Sequence, residues 1–261
     1  MFDKLRRRAD SGETNNPLLR SVRAQTERAA SPVLEDGLGL AGAQEAPMTV
    51  TGAITKTIVL TFLLLVTAAV GYAFPSPLVM WGGAIAGLVM VVVASWKPHQ
   101  AYWAAPAYAL FEGLFVGAVS AHYAYLFDGI ILQAVSLTIA VLLVMLFLYQ
   151  ARIIKVTAKL RAGVMMATGA VFVVYLASFA LSFFGIDLPY LHEGGPIGIG
   201  ISCVVLAIAS FNLLLDFDNF EKGAATGAPA RYEWVFAMGL LVTLVWIYVE
   251  LLRLLSYLNR D

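Results

Sequence analysis

The chain has 261 residues, 60% of them hydrophobic and 13% charged, with a mean hydropathy of +0.80. A soluble domain carries about a quarter charged residues and under half apolar ones, so this excess excludes a water-soluble fold and makes the bilayer the main solvent. Seventeen basic and seventeen acidic residues cancel, which removes any general attraction to nucleic acid, and the single Cys203 excludes an internal disulfide and a thiolate metal cluster.

Residues 1–50 hold seven basic and seven acidic side chains, and no aromatic follows Phe2 there. Such a stretch cannot offset its ordering entropy by burial, so it is expected to be a disordered cytoplasmic tail ahead of a transmembrane domain over 51–261. A spanning helix takes about 20 apolar residues. Seven segments meet that length: 53–74, 77–96, 101–122, 130–150, 163–184, 197–217 and 234–257. Their breaks carry turn and stop signals, among them Pro75-Ser76-Pro77, Lys97-Pro98-His99, Asp128-Gly129 and Gly194-Gly195-Pro196. The expected fold class is therefore an all-α integral membrane protein, a seven-transmembrane-helix bundle with a disordered N-terminal tail.

Lysine and arginine near the segment ends set the orientation. They crowd the tail, the second–third connection (Lys97), the fourth–fifth (Arg152, Lys155, Lys159, Arg161) and the sixth–seventh (Lys222, Arg231). The other three connections have none, and Asp128, Asp187 and Glu193 lie there instead. This alternation places the N-terminus in the cytoplasm, and an odd count places the C-terminus outside. Arg253 and Arg260 oppose that count; they snorkel outward, or the last two segments hold a re-entrant piece that returns the C-terminus. Seven spans is the reading adopted.

An ionisable group inside an apolar segment costs a few kcal/mol or more at the bilayer centre, so those present are the candidate site. Glu112 lies halfway along the third segment beside Gly113 and Gly117, a small-xxx-small pair that admits another helix closely. It is either a protonated acid that orients helices or a cation or proton site lining a wet cavity. Asn212 and Asp216 share one face of the sixth segment, and Asp216 needs a partner, for which Arg152 or Lys155 from the neighbouring connection is expected. Asp218 and Glu221 read as a solvated helix end. A calcium ion near Asp216 would require several oxygens to converge. In the seventh segment Glu250 is expected near the outer boundary, paired with Arg253 at i,i+3, and Thr243 lies mid-membrane on the same face.

Enzyme readings find little support. His99, His122 and His192 sit at segment borders without metal-ligand spacing, and Ser120, Ser178 and Ser210 have no histidine or lysine at useful spacing. No glycine loop suited to phosphate appears. The expectation is a non-enzyme without a cofactor, calcium being at most the species carried or sensed.

Three stretches in order, Glu112-Gly113-Leu114-Phe115-Val116-Gly117, the basic Arg152–Arg161 connection, and Ser210-Phe211-Asn212 through Asp216 to Lys222-Gly223, resemble the bacterial branch of the Bax inhibitor-1 family, also called the YccA-like or transmembrane Bax inhibitor motif family. The resemblance covers nearly everything after the tail. It implies six helices around a central seventh, pH-sensitive calcium leak, and, for some bacterial members, association with a membrane-bound AAA protease. It also implies a gate formed by two aspartates, one late in the sixth helix and one in the seventh. Asp216 matches the first. Matching through Leu251-Leu252-Arg253 puts Thr243 at the second, with no acid until Glu250; Glu250 or Glu112 takes over, or this branch lacks the paired gate.

The functional expectation is a bacterial inner-membrane, multi-pass cation or calcium leak protein sensitive to pH, with Asp216 and Glu112 as its main polar determinants. The alternative is a non-conducting regulator that uses the charged tail to bind a membrane protease or stress-response partner.

Overall fold

The structure, a computed structural model, describes residues 45–182 and 195–259. Among these residues seven α-helices follow one another: α1 (Val50–Ala73), α2 (Pro77–Trp96), α3 (Ala101–Leu126), α4 (Ile130–Gln150), α5 (Ala158–Ser182), α6 (Pro196–Ala225) and α7 (Tyr232–Leu258). All seven are long and apolar enough to cross a bilayer. The shortest, α2 with 20 residues, extends about 30 Å at 1.5 Å per residue.

The helix starts follow local chemistry. Thr49 Oγ1 accepts from the Gly52 N–H at 2.9 Å, Ser76 Oγ from the Val79 N–H at 3.2 Å, and Thr157 Oγ1 from the Leu160 N–H at 3.2 Å. Pro77 and Pro196 open α2 and α6, where a missing N–H costs nothing. Gly129 supplies the left-handed turn (φ 73°) that reverses the chain between α3 and α4.

α7 is the central helix, packed against α6, α1, α3 and α4. α3 is a second interior helix carrying α1 and α2, whereas α5 leans chiefly on α6. Close approach of α1 and α3 depends on glycine. A Cβ on Gly117 would fall on the Ala68 carbonyl and the Tyr72 N–H, one on Gly71 would meet the Leu114 carbonyl, and one on Gly113 would meet Leu64. The partner admitted by the Gly113/Gly117 pair is therefore α1. On the outside, large apolar side chains such as Phe62, Leu78, Phe172 and Val204 are exposed, as expected where lipid replaces water.

Three boundaries differ from the sequence reading. Ala46–Thr49 belong to the bundle and not to the tail. The Met48 N–H donates to the Ala228 carbonyl at 2.7 Å, the Ala230 N–H donates to the Ala46 carbonyl at 2.8 Å, and Met48 is buried. Apolarity alone could not reveal this, because the ordering comes from backbone pairing with a loop some 180 residues away. Second, α5 starts five residues before the expected 163, so Arg161 is a helix residue. Third, α6 continues past 217 to Ala225, carrying Asp218, Asn219, Glu221 and Lys222 within the helix. The re-entrant alternative is not what the structure adopts, since α6 and α7 are unbroken helices of 30 and 27 residues.

Candidate functional site

The extended α6 carries Asn212, Asp216 and Asn219 at i, i+4 and i+7, a spacing that puts them on one face. Asp216 reaches α7, where Thr243 Oγ1 lies 2.7 Å from Asp216 Oδ2 and donates to it. The position opposite Asp216 is a glycine, and a Cβ on Gly239 would sit 3.8 Å from Asp216 Oδ1. Asn212 and Asn219 instead face α5. Asn212 Nδ2 donates to Thr168 Oγ1 at 2.7 Å, and Arg161 Nη1 donates to Asn219 Oδ1 at 2.9 Å. Arg161 also donates to Asp218 Oδ2, which is held in addition by Lys222 Nζ at 2.7 Å.

The α5 partners repeat with a period of seven: Arg161, Thr168, Tyr175. On α7 the next residue seven beyond Thr243 is Glu250, and these two series meet. Tyr175 Oη donates to Glu250 Oε2 at 3.2 Å; Arg253 Nη1 donates to Tyr175 Oη at 2.6 Å and to Glu250 Oε2 at 3.3 Å. The Arg253 guanidinium also stacks over the Tyr175 ring, 5.0 Å from its centre. Glu250 is 1% exposed, and its Oε1 finds no hydrogen bond among the described residues. A polar file thus follows the α5–α6–α7 contact from Arg161 to Glu250 and Arg253. Along α5 it runs fourteen residues, about 21 Å.

The structure corrects several expectations. Asp218 is buried (8% exposed), with two cationic partners, and is not a solvated helix end. The cation that serves this region is Arg161 and not Arg152 or Lys155. Those two are exposed in the α4–α5 connection, where Arg152 adopts a left-handed φ of 54°, whereas Arg161 sits in the first turns of α5 against α6. Glu250 pairs with Arg253 as expected but inside the bundle, because Tyr175 of α5 covers it. Glu112 stands apart from the file, against α2: a Cβ on Gly87 would lie 2.5 Å from Glu112 Oε2. Among the described residues, no three histidine, cysteine, aspartate or glutamate side chains converge on a metal site, so Asp216, Asp218 and Glu112 do not form a calcium cage in this conformation.

A family model described as Bax inhibitor 1 like matches residues 8–260 of this chain. The chain belongs to the Bax inhibitor 1-like family. No curated protein matches it at a significant level. In this Bax inhibitor 1-like chain the late sixth-helix acid is Asp216, and the group that meets it from α7 is the Thr243 hydroxyl. A hydroxyl donates to a carboxylate, whereas two carboxylates at this distance repel or share a proton. The α6–α7 contact is closed here by the hydrogen bond between Thr243 and Asp216.

Residues missed by the sequence reading are Arg161 as a partner, Thr168 and Tyr175. Their signal was the polar heptad along an otherwise apolar α5, visible only once that helix is taken to begin at Ala158. Replacing Arg161 with glutamine is expected to lower unfolding stability by about 1–3 kcal/mol, since it removes charge-assisted bonds from buried Asp218. Arg152→Gln and Lys155→Gln should each stay within about 0.5 kcal/mol of wild type. Thermal melts of the detergent-purified variants separate the two outcomes; an Arg152 loss equal to that of Arg161 would overturn the assignment.

Proposed function

We propose that this Bax inhibitor 1-like protein is a pH-sensitive cation leak protein, with calcium the leading cargo, and that ions pass along the α5–α6–α7 file. The observation that carries this reading is the run of cross-helix polar bonds Arg161–Asn219, Thr168–Asn212, Thr243–Asp216 and Tyr175–Glu250 inside an apolar bundle. A bundle held together by packing alone has no need of so many polar groups at membrane depth, where each is costly unless paired. Oxygen ligands at successive depths suit a hard cation, which exchanges one set for the next. In the conformation described each rung is closed, so passage requires α5 or α6 to move relative to α7.

Asp216 is the controlling group. As a carboxylate it accepts from Thr243 and offers charge to a cation; protonated, it loses that charge and gains a donor of its own. Conduction therefore depends on pH through Asp216. Asp218, already paired with Arg161 and Lys222, does not carry that role, and Glu112 lies apart from the file against α2. By the distribution of lysine and arginine, the end bearing Lys56, Arg161, Lys222 and Arg231 faces the cytoplasm of a bacterial inner membrane.

The test is calcium entry into liposomes that contain the purified protein and a trapped indicator, measured across a pH series. Wild type should conduct with a rate that changes with pH. Asp216→Asn, which copies the protonated shape, should give a rate that no longer responds. A wild type that holds the gradient at every pH sinks the reading and favours a non-conducting regulator of a membrane protease. Equal pH profiles for wild type and Asp216→Asn remove Asp216 from the mechanism.

A further inference from the structure

The α5–α6 contact has two sides. Its inner side carries the polar file, and its outer side is an apolar groove. Two contiguous cavities make up this groove, about 330 Å³ from Lys159 past Gly163 to Ala167, and about 720 Å³ from Ala167 to Tyr175 and Ile197. Ala167 and Ile208 line both. The groove exists because α5 presents small residues, Gly163, Ala167 and Ala170, while Gly200 does the same on α6. A Cβ built on Gly163 or on Gly200 meets nothing within 4 Å. Side chains along its rim, Val174 and Val204, are exposed.

One end of the groove is charged. Lys159 lines the mouth, and Lys155 and Arg152 stand on the same connection, all three exposed. Their neighbours Arg161 and Lys222 are committed to Asp218, whereas among the described residues no carboxylate pairs with Lys159, Lys155 or Arg152. From this mouth the groove continues sixteen residues along α5 to Tyr175, about 24 Å. One leaflet of hydrocarbon is roughly 15 Å deep, half of the bilayer core. A chain hanging from a headgroup at Lys159 therefore stays within apolar walls for the whole depth of its leaflet.

We propose that the α5–α6 groove is a binding site for one anionic phospholipid, its phosphate at Lys159 with Lys155 and Arg152 beside it, and one acyl chain along Gly163, Ala167, Val174 and Ile201. The charge at the mouth selects the headgroup. The uniform apolar lining excludes a free phosphate or a polar metabolite from the rest of the site. A bound chain fills the outer side of the contact whose inner side holds Thr168 to Asn212, and so keeps α5 seated on α6.

The inference stands apart from ion passage, because its readout is lipid retention without flux. Full-length protein is reconstituted in phosphatidylcholine vesicles containing a minor fraction of phosphatidylglycerol, then re-extracted in mild detergent, and the lipids that remain are counted per protein. Wild type should keep phosphatidylglycerol well above its share in the vesicles. Lys159→Gln should reduce that enrichment about five-fold, the effect of one lysine at an anionic surface, while Lys97→Gln, an exposed lysine on the α2–α3 connection, should leave it unchanged. Gly163→Phe, whose side chain enters open space, should expel the lipid without unfolding the protein, as an unshifted melting temperature would verify. Retention of both lipids in their vesicle ratio, an equal fall in Lys97→Gln, or undiminished enrichment in folded Gly163→Phe each overturns the site.

Discussion

Arg253→Met is expected to cost the folded protein about 3 kcal/mol, the lower end of the penalty for stranding one member of a buried ion pair. Glu250 is 1% exposed, and Arg253 Nη1 is its only cationic contact among the described residues. Without the guanidinium the carboxylate keeps only the Tyr175 hydroxyl, and its Oε1 already has no partner among the described residues. Glu250→Gln should cost less, because about a quarter of the Arg253 side chain is exposed and its long stem can carry the charge toward the interface. The double variant Glu250→Gln/Arg253→Met, which removes both charges, should recover much of the loss. Unfolding of the purified variants, followed by tryptophan fluorescence, measures all three. A double variant no more stable than Arg253→Met would mean that lost packing and not an unpaired charge is responsible.

The second large effect concerns backbone contact. Gly117→Leu is expected to destabilise the bundle by about 3 kcal/mol or more, at the top of the range for overpacking. The first added carbon meets the Ala68 carbonyl and the Tyr72 N–H of α1. These are main-chain atoms that cannot rotate away, so the helices must separate along their whole contact. Gly163→Ala is the matching control. Its Cβ meets nothing, and alanine is the better helix former by about 1 kcal/mol, so that variant should be as stable as wild type or more so. If Gly117→Leu melts with wild type, α1 and α3 do not approach as described.

Much of the site was legible in the chain. Asn212 and Asp216 belong to one face by spacing alone, Arg253 follows Glu250 by three, and Thr243 lies where a helix crossing mid-membrane presents a hydroxyl. What spacing could not supply was the choice of partner. Arg152 and Arg161 stand nine residues apart in one basic connection, and only the start of α5 at Ala158 turns Arg161 inward while leaving Arg152 exposed. Asp218 illustrates the same limit. Two residues beyond Asp216 it points to another side of α6, which reads as solvent until Arg161 arrives from α5. Glu112 lies against α2, and its closeness to Gly87 reflects how α2 sits on α3.

The class of fold and the number of helices were determined by the sequence itself, because apolar runs of about 20 residues between turn signals admit no other stable arrangement in a bilayer. Which helix lies at the centre, which lysine or arginine meets which acid, and the existence of a file across α5, α6 and α7 were decided only by the tertiary structure. The physical reason is range: periodicity records which side of a helix is apolar or polar, a property of neighbours along the chain. A hydrogen bond such as Thr243 to Asp216 depends on the rotation and depth of two separate helices, and these are set by packing over the whole bundle.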